Sequence, residues 1–219
     1  MRKKAILRTL AYADVFDYPL KENEIFRFLI SNFQKELPTL SSEVSKKEGF
    51  YCAATSERSE VYFLKGRKRI VVTRKKRERW SREKLKIAKR VAGWLKLIPT
   101  IQMVAVTGAL AMNNSEKEDD IDLLIVTSKK RLWLTRLLTV FLVELVSHRR
   151  RPQDKNVKDK ICLNMFLDEK HLAVPKKEQD LFSAHEACQL KLLWDRNETY
   201  QKFVKENQWV KRYLPNWKP

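Results

Sequence analysis

Two short apolar runs enclose a polar segment that holds one glycine and a pair of aspartates. The first run, 103–106, reads Met-Val-Ala-Val and leads into Thr107-Gly108-Ala109, and Asp120-Ile121-Asp122 opens the second run, Leu-Leu-Ile-Val. Apolar runs of about four to eight residues between turn signals are typical of strands buried in a sheet. The pattern predicts two buried strands, a tight turn after the first and carboxylates at the start of the second.

Further periodic segments place this pair of strands in an α/β fold. A third strand is predicted over 161–167, and helices over 178–194 and 199–213. The run 132–146, within a predicted helix over 131–147, is almost wholly apolar, but it is shorter than the roughly 20 residues a membrane span needs and contains Arg136 and Glu144. We therefore predict a helix that is buried against the sheet, and no membrane partner.

The N-terminal part has a different pattern of apolar residues. Helical spacing of apolar residues predicts helices over 3–16, 22–33 and 39–47, followed by a hairpin of strands 50–53 and 61–64. Three helices and a hairpin are the order of a winged helix, a module that contacts either DNA or other proteins. We expect a winged-helix-like N-terminal region over 1–78 and an α/β domain with a mixed sheet and flanking helices over 79–219.

The charge of the chain favours polyanionic partners. The net charge is +19, and the window 65–90 holds fourteen lysines and arginines against two glutamates. Either this window is a solvated basic face or it contacts nucleic acid. The cysteines, Cys52, Cys162 and Cys188, form no CxxC pair. That spacing and the absence of a leader-like N-terminus predict a cytoplasmic protein without structural zinc.

The aspartate pair is the strongest candidate for chemistry. Residues two apart on a strand point to the same face, so Asp120 and Asp122 are predicted to lie side by side. Neighbouring carboxylates repel each other unless a cation lies between them, and such oxygen ligands suit Mg²⁺ or Mn²⁺. The alternative is a solvated acidic loop, to which Glu116, Glu118 and Asp119 would also belong.

The order Gly-small, then Asp-hydrophobic-Asp between buried strands, resembles the DNA polymerase beta-like nucleotidyltransferase superfamily over 101–167. The whole chain resembles an uncharacterised bacterial group with this domain behind a winged helix. That second likeness rests on Phe-Asp-Tyr-Pro (16–19), Arg-Leu-Trp-Leu-Thr-Arg (131–136) and Ala-His-Glu (184–186).

The resemblance implies a role for each matching residue. Gly108 would let the backbone approach a nucleotide phosphate, and Ala109 stands where relatives carry a serine that binds the triphosphate. Asp120 and Asp122 match the paired metal ligands. A third carboxylate often lies on the following strand, where this chain is expected to have Asn164. Two further candidates for that role, Asp159 and Asp168, lie at the ends of the same strand.

The implied activity is transfer of a nucleoside monophosphate from an NTP to an unknown hydroxyl acceptor with Mg²⁺ or Mn²⁺. The alternative is a DNA-binding regulator whose nucleotidyltransferase-like domain senses nucleotide without turnover, and a third interpretation is a protein-interaction scaffold. P-loop, GxGxxG and serine-nucleophile signatures are absent from the sequence, which excludes the corresponding enzyme classes. His185 is expected to pack within a helix because Gln189 replaces the second histidine of an HExxH motif. The oligomeric state is left open.

Overall fold

The computed structural model describes residues 2–31, 50–56 and 59–219. Its helices are α1 (Arg2–Asp14), α2 (Glu22–Arg27), α3 (Arg69–Leu95), α4 (Gly108–Ala111), α5 (Leu132–Val146), α6 (Leu181–Gln189) and α7 (Thr199–Glu206). Its strands are β1 (Leu20–Lys21), β2 (Phe50–Ser56), β3 (Ser59–Leu64), β4 (Ile101–Val106), β5 (Ile121–Thr127), β6 (Ile161–Asp168) and β7 (Lys191–Asp195). Two 3₁₀ turns cover Lys176–Glu178 and Gln208–Arg212.

The chain divides into two compact units. The first unit consists of Met1–Lys76, Gln179–Cys188 and Trp209–Pro219, and the second of Arg77–Glu178 and Gln189–Gln208. Two C-terminal segments therefore cluster with the N-terminal residues, a grouping that no local sequence pattern reveals. The predicted domain boundary between residues 78 and 79 falls close to the first change of unit, and the domain assignment itself stays a prediction.

The second unit contains a four-stranded mixed sheet in the order β6-β5-β4-β7. Strand β4 pairs antiparallel with β5 and β7, whereas β5 pairs parallel with β6. The C-terminal half of α3 covers the sheet, because Ala88, Val91 and Leu95 share one buried cluster with strand residues such as Ile121 and Ile161. A mixed sheet with flanking helices is the α/β class that the sequence predicted.

The first unit contains the predicted hairpin. Strands β2 and β3 pair antiparallel, and the two-residue strand β1 adds to β3 on the other side. Helices α1 and α2 precede the hairpin, with α2 ending at Arg27, earlier than the predicted helix over 22–33. The predicted third helix, over 39–47, lies outside the described residues, so the winged-helix assignment stays a prediction.

Two arginines contact the Phe-Asp-Tyr-Pro segment (16–19) that follows α1. Arg67 binds Asp14 (2.8 Å) and Asp17 (2.5 Å), and Asp17 takes a positive φ of 52°. Arg74 lies 4.3 Å from the ring centroid of Tyr18 and pairs with Glu24 at 2.8 Å. Burial favours the neutral form of Glu24, but the hydrogen bonds and charge of Arg74 outweigh it and hold the pKa below its ordinary value. These pairs fasten the turn within the first unit.

The predicted helix over 178–194 is wrong in its second half. Helix α6 ends at Gln189, and residues 191–195 form β7 on the outer edge of β4. The spacing of the apolar residues in this segment is compatible with a helix or with a strand. Pairing with the edge of β4, which would otherwise be open, stabilises the strand. Within α6, His185 is buried and stacks on Tyr12 at 4.0 Å between ring centroids, as a packing residue would.

Helix α5 forms where predicted, but it is buried against the core on one side only. It turns Thr135, Thr139 and Val143 inward and leaves most of its large apolar side chains exposed. Thr135 donates a hydrogen bond to the carbonyl of Arg131 (2.8 Å) and lies 2.7 Å from the hydroxyl oxygen of Thr100. Among the described residues, α5 and the other helices are too short or too polar to cross a membrane.

Candidate metal centre

The start of β5 positions both aspartates. Ile121 and Leu123 are fully buried in the core cluster, so alternation along the strand turns Asp122 away from that core. Asp120 comes directly before the strand. Burial raises the pKa of Asp122, and the neighbouring charge of Asp120 raises it further. The two carboxylates therefore repel each other in the metal-free chain, which is the condition that a bound cation relieves.

Cys162 on β6 completes the cluster. It lies directly opposite Asp122 in the parallel pairing, and its sulfur and one oxygen from each of Asp120 and Asp122 all lie within 4.8 Å of one another. Burial and a hydrogen bond to Asp122 raise the pKa of the Cys162 thiol to about 12. The group can hold a metal ion through two carboxylate oxygens and one sulfur.

Arg150 balances part of the negative charge. Its guanidinium donates to Oδ2 of Asp120 at 2.7 Å and lies 3.9 Å from Sγ of Cys162. The segment that carries it is held by the backbone, because the amide of Arg150 donates to the carbonyl of Ile161 at 2.8 Å. This arginine belongs to the triplet 149–151, whose other members bind Glu144 instead.

A buried lysine fastens the loop that leads into the site. Nζ of Lys84, on α3, donates to the carbonyls of Asp119 (2.6 Å) and Lys117 (3.2 Å) and to Oδ1 of Asp159 (2.8 Å). The side chain of Lys84 is only 2% exposed. Because Asp119 directly precedes Asp120, these bonds set the position at which β5 and its carboxylates begin.

The glycine turn after β4 lies against Asp122. Gly108 has a φ of +62°, a conformation in which a side chain would be strained, and a Cβ there would lie 3.4 Å from Oδ2 of Asp122. The amide of Thr107 donates to the carbonyl of Asp122 at 3.2 Å. Ala109 is exposed beside this turn. The structure therefore brings Asp120 and Asp122 together and places Gly108 against Asp122, while the nucleotide-binding roles of Gly108 and Ala109 stay predictions.

The remaining candidate residues, Asn164, Asp159 and Asp168, have different surroundings from the two aspartates. Asn164 is exposed, and the register shifts between the pairs Asp122–Cys162 and Leu124–Met165, so β6 holds one extra residue there. Such a bulge interrupts the alternation of faces. Asp159 binds Lys84, and Asp168 accepts backbone N–H groups of Lys130 and Lys170 at the far end of β6. Asn164, Asp159 and Asp168 thus stay predictions without a place in the metal cluster.

Sequence reasoning missed Cys162 and the role of Arg150. One signal was available for the cysteine: Ile161 and Leu163 are apolar neighbours in a predicted strand, so Cys162 had to face the other way. The pairing with Asp122 was not available, because strand register follows from the fold and not from the local sequence.

The basic window 65–90 contributes several side chains to internal contacts. Arg67 and Arg74 form the ion pairs of the first unit, and in the second unit Arg77 pairs with Glu116 and Lys84 with Asp159. The remaining basic residues of α3 within the second unit are exposed and recur every three or four positions along one face: Arg79, Arg82, Lys86, Lys89 and Arg90. Nucleic-acid binding by this face stays a prediction.

Comparisons with known proteins leave the family open. The chain matches no protein-family model and no curated protein. One similar solved structure is a toxin-antitoxin crystallised with AMP-PNP, at 14% sequence identity and a TM-score of 0.32, over 56% of this chain and 89% of that chain. A similarity this weak assigns neither fold nor activity.

Proposed function

We propose that the second unit is a metal-dependent nucleotidyltransferase that moves a nucleoside monophosphate from an NTP to a hydroxyl acceptor. The observation that carries the proposal is the cluster of Asp120, Asp122 and Cys162 beside the Gly108 turn. Paired carboxylates next to an open turn match the needs of a divalent ion that is shared with substrate phosphates. Mg²⁺ or Mn²⁺ held there would draw the nucleophile and the α-phosphorus together and neutralise developing charge.

Residues around the cluster would have separate roles in the reaction. Asp120 and Asp122 would hold the metal ion, and the lack of a side chain at Gly108 leaves the approach to Asp122 uncovered for a phosphate. Arg150 is 43% exposed, so it would be able to exchange Asp120 for a phosphate oxygen if that carboxylate held a metal ion. Arginine suits this exchange because its planar fork donates to either acceptor in the same geometry.

The protonation state of Cys162 bears on whether the site is catalytic. Without a metal, the pKa of the Cys162 thiol is raised to about 12, so the thiol is protonated at neutral pH and cannot accept the proton of the acceptor hydroxyl. Metal-assisted positioning supplies most of the catalysis in phosphoryl-type transfer, and a missing base costs less than a missing metal ligand. We therefore favour an enzyme over the alternative, a DNA-binding regulator that senses nucleotide without turnover.

Replacing Cys162 by Asp is expected to strengthen Mg²⁺ binding by about tenfold, since a third carboxylate would join the cluster. Asn164→Asp is the matched control, because Asn164 lies two positions along the same strand but is exposed and falls in the register shift that follows Cys162. Isothermal titration of both variants measures the difference. Equal gains for the two substitutions would contradict the assignment of Cys162 to the site.

Ala109→Ser is expected to tighten NTP binding by roughly 1.5–3 kcal/mol, the value of one hydrogen bond to a charged group. Ala173→Ser, another exposed alanine of the second unit, should leave NTP affinity unchanged. The same protein is then assayed for pyrophosphate release with NTP and Mn²⁺. Release that Asp122→Asn abolishes supports the enzyme, binding without release supports the sensor, and failure of the wild type to bind any NTP overturns the proposal.

A further inference from the structure

The outer face of α5 is an exposed apolar surface. Trp133 is 79% exposed, Leu137 66%, Phe141 64% and Leu145 67%, and Leu134 and Leu138 lie between them on the same side. At 100° per residue these six side chains occupy a stripe about 140° wide. We call this stripe the α5 face. Scattered apolar residues on a surface are ordinary, but six on one side of a helix, interrupted by Glu144 near the helix end, mark an interaction site.

The polarity of α5 is reversed relative to a helix that packs on a protein core. Its fully buried residues are two threonines and one valine, Thr135, Thr139 and Val143, and the half-buried Leu142 also packs on the core. Its tryptophan, its phenylalanine and most of its leucines are exposed. The sequence of α5 therefore suits an apolar medium on its outer side.

Basic residues lie at both ends of the α5 face. Lys129, Lys130 and Arg131 precede the helix and are exposed, and Arg149 and Arg151 follow it, while Arg150 between them pairs with Asp120. Between 129 and 151 the sequence holds seven lysines and arginines against one glutamate. That glutamate, Glu144, is bound by Arg149 at 3.0 Å and Arg151 at 3.2 Å, so its charge is compensated. An apolar stripe between two cationic ends is complementary to an anionic lipid surface.

We propose that α5 docks the protein on an anionic membrane surface and lies in the plane of that surface. A helix of 15 residues is about 22 Å long, too short to span but sufficient to insert its side chains roughly 5–10 Å into the headgroup boundary. The lysines and arginines at its ends would extend toward the phosphates. The expectation of no membrane partner rested on the length of a span, a criterion that does not apply to a helix lying flat.

The charge of the chain selects a membrane over a second copy of the protein as the occupant. Pairing two α5 faces would bring two sets of cationic ends together between chains that each carry a net charge of +19. Self-repulsion of like charges opposes that contact, whereas negative lipid headgroups attract each Lys or Arg near the surface. Self-association through α5 is therefore an outcome to be tested and not the proposal.

The test is flotation of the full chain with phosphatidylcholine vesicles that contain or lack phosphatidylglycerol. We expect binding to the anionic vesicles only, and weakening with added salt. Replacing Leu137 and Phe141 by Gln should weaken binding roughly tenfold per residue, because each loses an apolar side chain that inserts. Replacing Lys129, Lys130 and Arg131 by Gln should weaken it about fivefold per residue.

The matched control is Trp94→Gln with Leu97→Gln, which removes two other exposed apolar side chains of the second unit and should leave vesicle binding unchanged. Thermal unfolding checks that each variant folds, as outward-facing substitutions allow. Loss of vesicle binding in the control as well would mean nonspecific adhesion and overturn the proposal. So would an absence of binding by the wild type, or a dimer in light scattering that the Leu137 and Phe141 substitutions dissociate without any lipid effect.

Discussion

Replacing Asp122 by Asn is expected to weaken divalent-metal binding by more than about a hundredfold. Residues that merely orient metal ligands cost about 10–100-fold when mutated, and a direct ligand contributes more. The loss should be largest with NTP present, since in the proposed reaction the substrate phosphates would share the ion. Titration with Mn²⁺ in the presence of a nonhydrolysable NTP measures it, and Asp120→Asn should behave in the same way.

The same substitution is expected to stabilise the metal-free protein. Burial and the charge of Asp120 raise the pKa of Asp122, so its ionised form costs the folded state free energy at pH values above the ordinary range of an aspartate. The amide that replaces the Asp122 carboxylate carries no charge to repel Asp120. The gain should be full at neutral pH and disappear as the pH falls below the ordinary aspartate pKa, where wild type and variant are both uncharged at this position.

Glu118→Gln is the matched control for both effects. Glu118 is an exposed acidic residue of the same loop and lies outside the Asp120–Asp122–Cys162 cluster. It should change neither metal affinity nor stability measurably. If Glu118→Gln and Asp122→Asn reduced metal binding equally, the loop would be a diffuse acidic patch, and the alternative raised by its sequence would be correct.

Replacing Lys84 by Met is expected to destabilise the protein by about 3 kcal/mol. The substitution keeps the apolar stem but removes the ammonium, so the carbonyls of Lys117 and Asp119 lose their donor at a position where the lysine is 2% exposed. Removing one partner of a buried ion pair typically costs about 3–5 kcal/mol, and the partial exposure of Asp159 places this case at the lower end. Urea denaturation followed by circular dichroism measures the change.

Lys86→Met provides the comparison on the same helix. Lys86 is 71% exposed and pairs with Glu83 at 3.0 Å across one turn, an arrangement worth less than about 1 kcal/mol. Lys84→Met should also weaken metal binding, since the loop it holds runs directly into Asp120, whereas Lys86→Met should not. Similar stabilities for the two variants would contradict the structural role assigned to Lys84.

The composition of the basic window 65–90 revealed its charge but not its contacts. Its charge was evident in the sequence, and two interpretations were left open, a solvated face and a phosphate-binding face. The structure adds a third use, because Arg67, Arg74, Arg77 and Lys84 pair with acidic residues that are distant along the chain. These ion pairs could not be predicted from the sequence because the partners lie far apart along the chain.

The sequence by itself determined the strands around Asp120 and Asp122, the Gly108 turn and the helical period of α5. These features follow from local patterns: apolar runs, alternation of faces and the backbone freedom of glycine. Only the tertiary structure decided that 191–195 is a strand, that Cys162 joins the aspartates, and that α5 turns most of its large apolar side chains outward. Each of these depends on which strand edge, register or helix face meets a distant partner, and contacts between distant residues leave no periodic trace in the sequence.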